Sequence, residues 1–150
     1  SYMVLPEKLL EFYNERYTKF SSAVSVLEQN ILTAFISEGH YERHLNRMRK
    51  LYGEKRAVLL NELKKIGGKI KINGENAGHH MAIRLMSDLS EEEMIESAKK
   101  CGVRVYPIST YFIRSVPQKY RSTVLIGYAE LSKKQITEGI SLLKKAWGLN

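Results

Sequence analysis

Four histidines, the side chains that most often ligate transition metals, occur in two pairs along the chain. His40 and His44 stand four residues apart in GHYERH, and on a helix this spacing puts both rings on one face, where they can hold zinc. The residue after His40 is a tyrosine, where a metalloprotease helix has glutamate, and no third ligand can be identified. We therefore interpret the pair as surface histidines at a helix start and expect no metal site.

The second pair, His79 and His80 in NAGHHMAIRL, lies where the apolar residues begin to alternate as they do in a strand. Adjacent strand residues point to opposite faces, so we expect one ring to point inward and the other outward. A histidine in the core or at an interface is the commoner case, and a ligand-binding histidine is the alternative.

No catalytic set can be assembled from the remaining residues. The NGENAG stretch lacks the Gly-Lys-Ser/Thr ending of a phosphate-binding loop, and the sequence has no nucleophile elbow or dinucleotide fingerprint. The acidic residues of SEEEM open a helix, where negative charge interacts favourably with the helix dipole without any catalytic role. We therefore expect that this chain alone is not an enzyme.

A formal net charge of +8 raises the question of nucleic-acid binding, because lysine and arginine neutralise phosphates. The basic residues are spread over several segments and interleaved with glutamate, which is typical of solvated helix faces, so we expect no direct DNA binding by this chain. The longest apolar runs are much shorter than a membrane span. The single cysteine, Cys101, fits a reducing cytoplasm.

The first half of the chain has the pattern of one short strand followed by three helices. We predict a buried strand over SYMVL and a helix that starts at Pro6. The second helix, in SSAVSVLEQNILTAFISEG, is apolar around much of its surface, which indicates burial between layers or subunits. The third, in HYERHLNRMRKLYGEKRAVLLNELKKIGG, is long for a domain of this size, and such a helix usually bridges two parts of a molecule.

From Gly67 onward the apolar period changes from helical to strand-like. Strands are predicted in KIKI, HHMAIRLM, VRVYPIS and STVLIGYAEL, whereas TYFIRSVPQKYR is too irregular for a regular element. Two helices have capping boxes, Ser90 with Glu93 and Ser132 with Gln135. The order of the second half is therefore ββαββα.

In this order, several segments resemble the C-terminal third of fold-type I, pyridoxal-phosphate-dependent aminotransferases: SYMVLPEKLLEFY, FISEGHYERHLNRMRKLYGEKRAVLLNEL, NAGHHMAIRL, GVRVYPIS and LIGYAELSKKQITEGISLL. Within that superfamily the chain is most similar to the MocR-type branch of GntR-family transcriptional regulators. The branch assignment rests on SYMVLP, on SEGHYERHLNRMRKLYGEKR, and on an AGxH pattern matched by Ala77, Gly78 and His80. The resemblance runs over essentially the whole chain.

The resemblance implies an α+β fold in which helices, including one long interdomain helix, pack on a small, mainly antiparallel sheet, as in the small domain of these aminotransferases. It divides the chain into three parts. Residues 1–37 are a remnant of the large-domain strand and its connecting helices, residues 38–67 the interdomain helix, and residues 68–150 the small C-terminal domain. SYMVL would be the end of a strand whose neighbours are absent, so we expect residues 1 to about 20 to be disordered or shielded by another copy.

The resemblance also implies partners and a cofactor for a longer parent. In the family, an N-terminal winged helix binds DNA, and the aminotransferase-like domain binds pyridoxal 5'-phosphate and an effector. The Schiff-base lysine and a phosphate-binding arginine come shortly before the strand matched by SYMVLP, so we expect both upstream of Ser1. We expect no covalently bound cofactor on this chain, and we expect the parent to be a homodimer.

Relatives that recognise an amino-acid carboxylate carry an arginine in the loop after the third strand, where this chain has Thr110, or in the last strand, where it has Leu125. The resemblance implies four effector-binding residues: Arg114, Thr110, Ser109 and His80. Arg114 would then substitute as the partner of a carboxylate. The alternatives are that the effector is not a simple amino acid, that pyridoxal phosphate itself is the signal, or that Arg114 is an ordinary exposed arginine.

The leading hypothesis is that this chain is the C-terminal segment of the cofactor- and effector-binding domain of a cytoplasmic MocR-type regulator. The alternative is the small domain of a genuine class I/II aminotransferase, against which Leu125 argues. A third hypothesis is an independent interaction module whose basic surface binds an acidic partner.

Overall fold

The computed structural model describes residues 3–17, 24–75 and 78–149. The chain divides into two compact units, Ser1–Leu45 and Asn46–Asn150. The long helix α3 (His40–Lys64) contains the boundary between them. It continues through Gly53 without interruption, so the glycine does not end the helix.

The first unit contains α1 (Glu7–Tyr17), α2 (Val26–Ser37) and the beginning of α3. Ser25 caps α2 through a capping box with Glu28, and Gly39, with a φ of 73°, separates α2 from α3. Neither α1 nor α2 contains a buried residue. Their apolar side chains are therefore exposed on the surface of this unit.

The strand predicted over SYMVL is wrong for the part that the structure describes. Residues 3–5 form no strand, and the side chains of Met3 and Val4 are 71% and 83% exposed. Apolar, β-prone residues form a strand only where a neighbouring strand pairs with them, and no described strand does. Ser1 and Tyr2 lie outside the described residues.

The second unit is built on a small sheet whose strands are β1 (Ile70–Asn73), β2 (His80–Leu85), β3 (Tyr106–Pro107) and β4 (Thr123–Gly127). The spatial order is β1-β2-β4-β3, and every neighbouring pair is antiparallel. The helices of this unit are the rest of α3, α4 (Glu91–Lys100) and α5 (Lys133–Ala146). The predicted fold class, helices on a small antiparallel sheet, is confirmed.

A single apolar cluster joins these helices to one face of the sheet. Its fully or nearly fully buried members include Leu59 and Leu63 of α3, Met81, Ile83 and Leu85 of β2, Met94 and Ala98 of α4, Val124 and Ile126 of β4, and Ile136, Ile140 and Leu143 of α5. Trp147, just after α5, packs in the same cluster, and its indole Nε1 donates to the Met94 carbonyl at 3.0 Å. The buried indole N–H is thereby satisfied.

The predicted helix starts in this unit are confirmed. Ser90 and Glu93 form a reciprocal capping box at α4, and Ser132 and Gln135 do so at α5. Gly102, with a φ of 79°, follows the end of α4 in the left-handed conformation that glycine adopts most easily.

The third strand is shorter than predicted. Of VRVYPIS, only Tyr106 and Pro107 pair, and their partner is β4. Pro107 has no backbone N–H, so it cannot extend a ladder, and β3 is confined to the edge of the sheet. The irregular segment that follows contains two short 3₁₀ helices, Ser109–Tyr111 and Gln118–Tyr120.

Candidate functional site

One face of the sheet is not covered by the helices of the core. β2 buries every second residue on the core side: Met81, Ile83 and Leu85. His80 therefore faces the other side, which we call the open face. The register pairs His80 with Gly127 of β4, and Tyr106 of β3 with Leu125 of β4, so all four lie on the open face.

A groove of about 560 Å³ lies beside this face. Its lining includes the His80 and Tyr106 rings, the Gly127 backbone, Arg104 and Glu130. This volume is in the range of small-molecule binding pockets, and a wall of two rings with a few charged groups is a typical lining. The groove is therefore a candidate ligand site in the second unit.

Arg104 is exposed and stacks on Tyr106, with its guanidinium carbon 5.1 Å from the ring centroid. This cation–π contact holds the guanidinium beside the groove and leaves its N–H groups able to donate to a ligand. No ion pair joins Arg104 to an acidic side chain within the described ranges.

The prediction that one of His79 and His80 points inward is wrong, because both side chains are exposed. His79 precedes β2 and lies in a turn, so strand alternation does not apply to it. Its ring instead packs on Tyr52 of α3, with centroids 4.2 Å apart. His80, the first residue of β2, points to the open face.

The turn at Gly78 and His79, within the described part of the AGxH pattern, is attached to the end of β4 by Tyr128. Ala77 lies outside the described residues. The Tyr128 hydroxyl donates to the Gly78 carbonyl at 2.8 Å, and the Tyr128 amide donates to the His79 carbonyl at 3.3 Å. Burial raises the pKa of Tyr128, and the charge of Arg56 opposes part of that rise. The phenol thus remains a donor at neutral pH and positions the turn that leads to His80.

Two lysine contacts attach α3 to the segment after β4 and to the start of α5. Lys55 Nζ donates to the Ala129 carbonyl at 2.6 Å, and Lys133 Nζ lies 2.8 Å from a carboxylate oxygen of Glu54. The hydrogen bond and charge of Lys133 lower the pKa of Glu54. These contacts position one wall of the groove.

The loop after β3 is held by an acid that sequence reasoning did not select. The Glu91 Oε1 oxygen accepts the backbone N–H groups of Ile108, at 2.6 Å, and Ser109, at 3.0 Å. The sequence interpretation assigned the acids of SEEEM only to the helix dipole. A glutamate at a helix start gives no sequence signal for a contact seventeen residues away.

The four predicted effector residues do not all line the same groove. His80 lines it, and Ser109, Thr110 and Arg114 do not. The Ser109 backbone is held by Glu91, the Thr110 hydroxyl donates to the Pro107 carbonyl at 3.1 Å, and Arg114 is exposed. Leu125, at the family position of a carboxylate-binding arginine, is half-buried and presents an apolar side chain.

The groove does not fit a covalently anchored pyridoxal phosphate. Its lining includes no lysine, so among the described residues nothing there could form a Schiff base with the cofactor aldehyde. Lys55, which lies nearby, is engaged with the Ala129 carbonyl.

The other histidine pair does not form a metal site with its described neighbours. His40 Nε2 lies 3.2 Å from a Glu38 oxygen, and His40 Nδ1 lies 3.0 Å from Arg43 Nη2. In the described ranges, no group of three or more His, Cys, Asp or Glu side chains is arranged to hold a metal ion. As far as the structure describes the chain, no helix is both long enough and apolar enough to cross a membrane.

Comparison with known sequences identifies relatives that match nearly the whole chain. It is 40% identical over 148 residues to the uncharacterized HTH-type transcriptional regulator YdeL of Bacillus subtilis, covering 98% of this chain and 31% of that protein. It is 31% identical over 147 residues to the probable rhizopine catabolism regulatory protein MocR of Rhizobium meliloti, covering 97% of this chain and 29% of that protein. The chain thus spans about a third of the length of these relatives. No family model matches it.

Solved structures show the same fold in aminotransferases. The α-aminoadipate aminotransferase LysN of Thermus thermophilus aligns with a TM-score of 0.71 and 25% identity, covering 95% of this chain and 35% of that chain. An archaeal alanine:glyoxylate aminotransferase aligns with a TM-score of 0.73 and 20% identity, covering 97% of this chain and 36% of that chain. Together with the regulators, these neighbours confirm the resemblance to MocR-type regulators that have an aminotransferase-like fold.

Proposed function

We propose that this chain is the C-terminal segment of the effector-binding domain of a MocR/GntR-type transcriptional regulator, and that it senses a ligand without catalysing a reaction. The observation that carries the proposal is its 31–40% identity, over nearly its whole length, to HTH-type regulators. Leu125 supports it, because an apolar side chain replaces the arginine with which an aminotransferase binds its substrate carboxylate.

The parts of the chain would have different roles. Residues 1–37 would pack in the large domain, residues 38–67 would be the interdomain helix, and residues 68–150 would close over the ligand cleft. A ligand with higher affinity for one orientation of the small domain would favour that orientation. The interdomain helix would pass this bias to DNA-binding domains elsewhere in the parent.

The cofactor and the partners of the parent follow from the same assignment. Pyridoxal 5'-phosphate would be held by residues outside this segment, which fits the groove without a lysine. DNA would be bound by a winged helix of the parent, in the cytoplasm. The effector would be an amino acid or pyridoxal phosphate itself, contacted by His80, Ser109, Thr110 and Arg114.

We also propose that the parent is a homodimer to which the first unit contributes. In α2 the apolar side chains Val26, Leu27, Ile31, Leu32 and Ile36 are each more than half exposed. A helix with so much exposed apolar surface is stabilised when another surface covers it. A second copy supplies such a surface in the commonest kind of oligomer, the symmetric dimer.

The second candidate function is the small domain of a working aminotransferase. The solved neighbours favour it, because they are aminotransferases with the same fold. In that case the parent would transfer amino groups. If the parent is a regulator, it would instead change its DNA affinity when the ligand binds.

The experiment measures how the ligand changes the DNA affinity of the full-length parent. It compares the unsubstituted protein with the variants Arg114→Ala and Arg121→Ala. Both arginines are exposed in the same irregular region, so Arg121→Ala is a matched control for lost charge. Arg114→Ala should weaken the response to an amino-acid effector about tenfold or more, because a charge-assisted contact is lost. An equal response in both variants would reject the role of Arg114, and amino-group transfer without any effect on DNA binding would reject the regulator.

A further inference from the structure

The open face of the sheet has a gap between two aromatic rings. β4 lies between β2 and β3, and its last residue, Gly127, has no side chain. A Cβ atom at Gly127 would lie 3.4 Å from Cδ2 of His80 and 4.0 Å from Cε2 of Tyr106. The two rings come from the strands on either side of β4, so a group above Gly127 would contact both.

The shape of this gap favours a flat group. A planar ring that stands above Gly127 would meet a ring on each side at ordinary van der Waals distance, as aromatic side chains do when they stack. A branched aliphatic group is thicker and would push the rings apart. The groove of about 560 Å³ beside the gap leaves room for the rest of a small ligand.

Arg104 offers a partner for a carboxylate on that ring. Arg104 stacks on Tyr106, lines the same groove and forms no ion pair with an acid in the described part of the chain. Its planar guanidinium can bind a carboxylate through two parallel hydrogen bonds. The lining also contains two acids, Glu130 and Glu138, of which Glu138 has Lys134 at 3.7 Å as its own partner.

We propose that His80, Gly127 and Tyr106 form a binding slot for a planar aromatic carboxylate, with Arg104 as the partner of the carboxylate. The slot shares His80 with the effector residues proposed above. For an aromatic carboxylate it assigns the carboxylate contact to Arg104, which lines the groove, whereas Arg114 does not. The inference gives that effector a chemical class and to this extent rests on the proposed function. Binding to the slot, however, can be measured on this chain without any DNA.

The experiment titrates the isotope-labelled 150-residue chain with quinoline-2-carboxylate and follows the histidine ring resonances by NMR. A ring inserted beside His80 should shift the His80 resonances through its ring current, and His40, which lies in the other unit, should not shift. Cyclohexanecarboxylate has the same charge without a flat ring and should leave the His80 resonances in place. No shift at His80 with the planar probe, or equal shifts with both probes, would overturn the proposal.

Three variants separate the slot from a general effect on the fold. Gly127→Ala places a methyl group in the slot at ordinary contact distances, so it should fold and should weaken binding at least about tenfold, given the usual strength of ring stacking. Arg104→Gln should weaken binding of the carboxylate but not of uncharged quinoline. Gly53→Ala, whose added methyl group meets no atom within 4 Å, is the control and should bind as the unsubstituted chain does.

Unchanged binding in Gly127→Ala would also overturn the proposal. If the slot does not bind the planar carboxylate, the proposed function can still be tested with Arg114→Ala, because that experiment measures the DNA affinity of the parent. The two proposals can therefore fail separately.

Discussion

At the scale of single residues, the Glu54–Lys133 ion pair connects α3 to α5 and sets a measurable pKa. The hydrogen bond and charge of Lys133, with a smaller contribution from the charge of Lys50, lower the pKa of the Glu54 carboxyl. A carboxyl whose pKa is lower in the folded state stabilises the fold above its unfolded pKa, and loses that contribution as the pH falls through its folded pKa. Because the two side chains are 54% and 45% exposed, the contribution to stability is small.

We predict that Lys133→Gln raises the pKa of Glu54 toward its ordinary value. An NMR titration of the side-chain carboxyl carbons measures this directly. Lys134→Gln removes the neighbouring lysine, which lies near Glu138, and is the matched control. If Glu54 titrates at the same pH in the unsubstituted chain and in Lys133→Gln, the ion pair does not form in solution.

At the scale of elements, the contact between α4 and the loop after β3 determines the backbone position of the proposed effector loop. Glu91 accepts hydrogen bonds from two backbone N–H groups, those of Ile108 and Ser109. Without Glu91 these donors would have no protein acceptor in a partly buried site. We predict that Glu91→Ala lowers the free energy of unfolding by about 1–3 kcal/mol, because both donors lose their acceptor. It should also speed hydrogen exchange at the Ser109 amide.

Glu92→Ala is the control for Glu91→Ala. Glu92 is exposed in the same helical turn, so Glu92→Ala removes an interaction with the helix dipole and no contact with the loop. It should change the free energy of unfolding by less than about 0.5 kcal/mol. Equal losses in the two variants, with no change in Ser109 exchange, would show that the loop does not depend on Glu91.

The sequence predicted those elements whose signals are local. The capping boxes at Ser90 and Ser132 each lie within one helix, and both were confirmed. The predicted strand over the described residues 3–5 of SYMVL and the predicted length of β3 were wrong, because strand formation depends on partners distant in the chain. The groove could not be predicted either, because β4 lies between β2 and β3, an arrangement that only the three-dimensional pairing reveals.

At the scale of the whole molecule, the apolar surface of α2 predicts self-association. In analytical ultracentrifugation we expect the chain to dimerise in the micromolar range, and the double substitution Leu27→Glu, Ile31→Glu to make it monomeric, since charges oppose burial of this surface. Both side chains are exposed, so the substitutions should not disturb folding.

Asn30→Glu adds a charge to the same helix at an exposed polar residue and is the control, which should dimerise as the unsubstituted chain does. A chain that stays monomeric at every concentration, or a dimer that the double substitution leaves intact, would contradict association through α2.

We propose that this chain belongs to a ligand-sensing domain and that the covalent cofactor anchor lies outside it. The most direct test incubates the chain with pyridoxal 5'-phosphate, reduces any imine with borohydride, and maps the modified lysines by peptide mass spectrometry. We predict weak labelling distributed over exposed lysines, because no lysine lines the groove among the described residues. Stoichiometric modification of one lysine would contradict the claim.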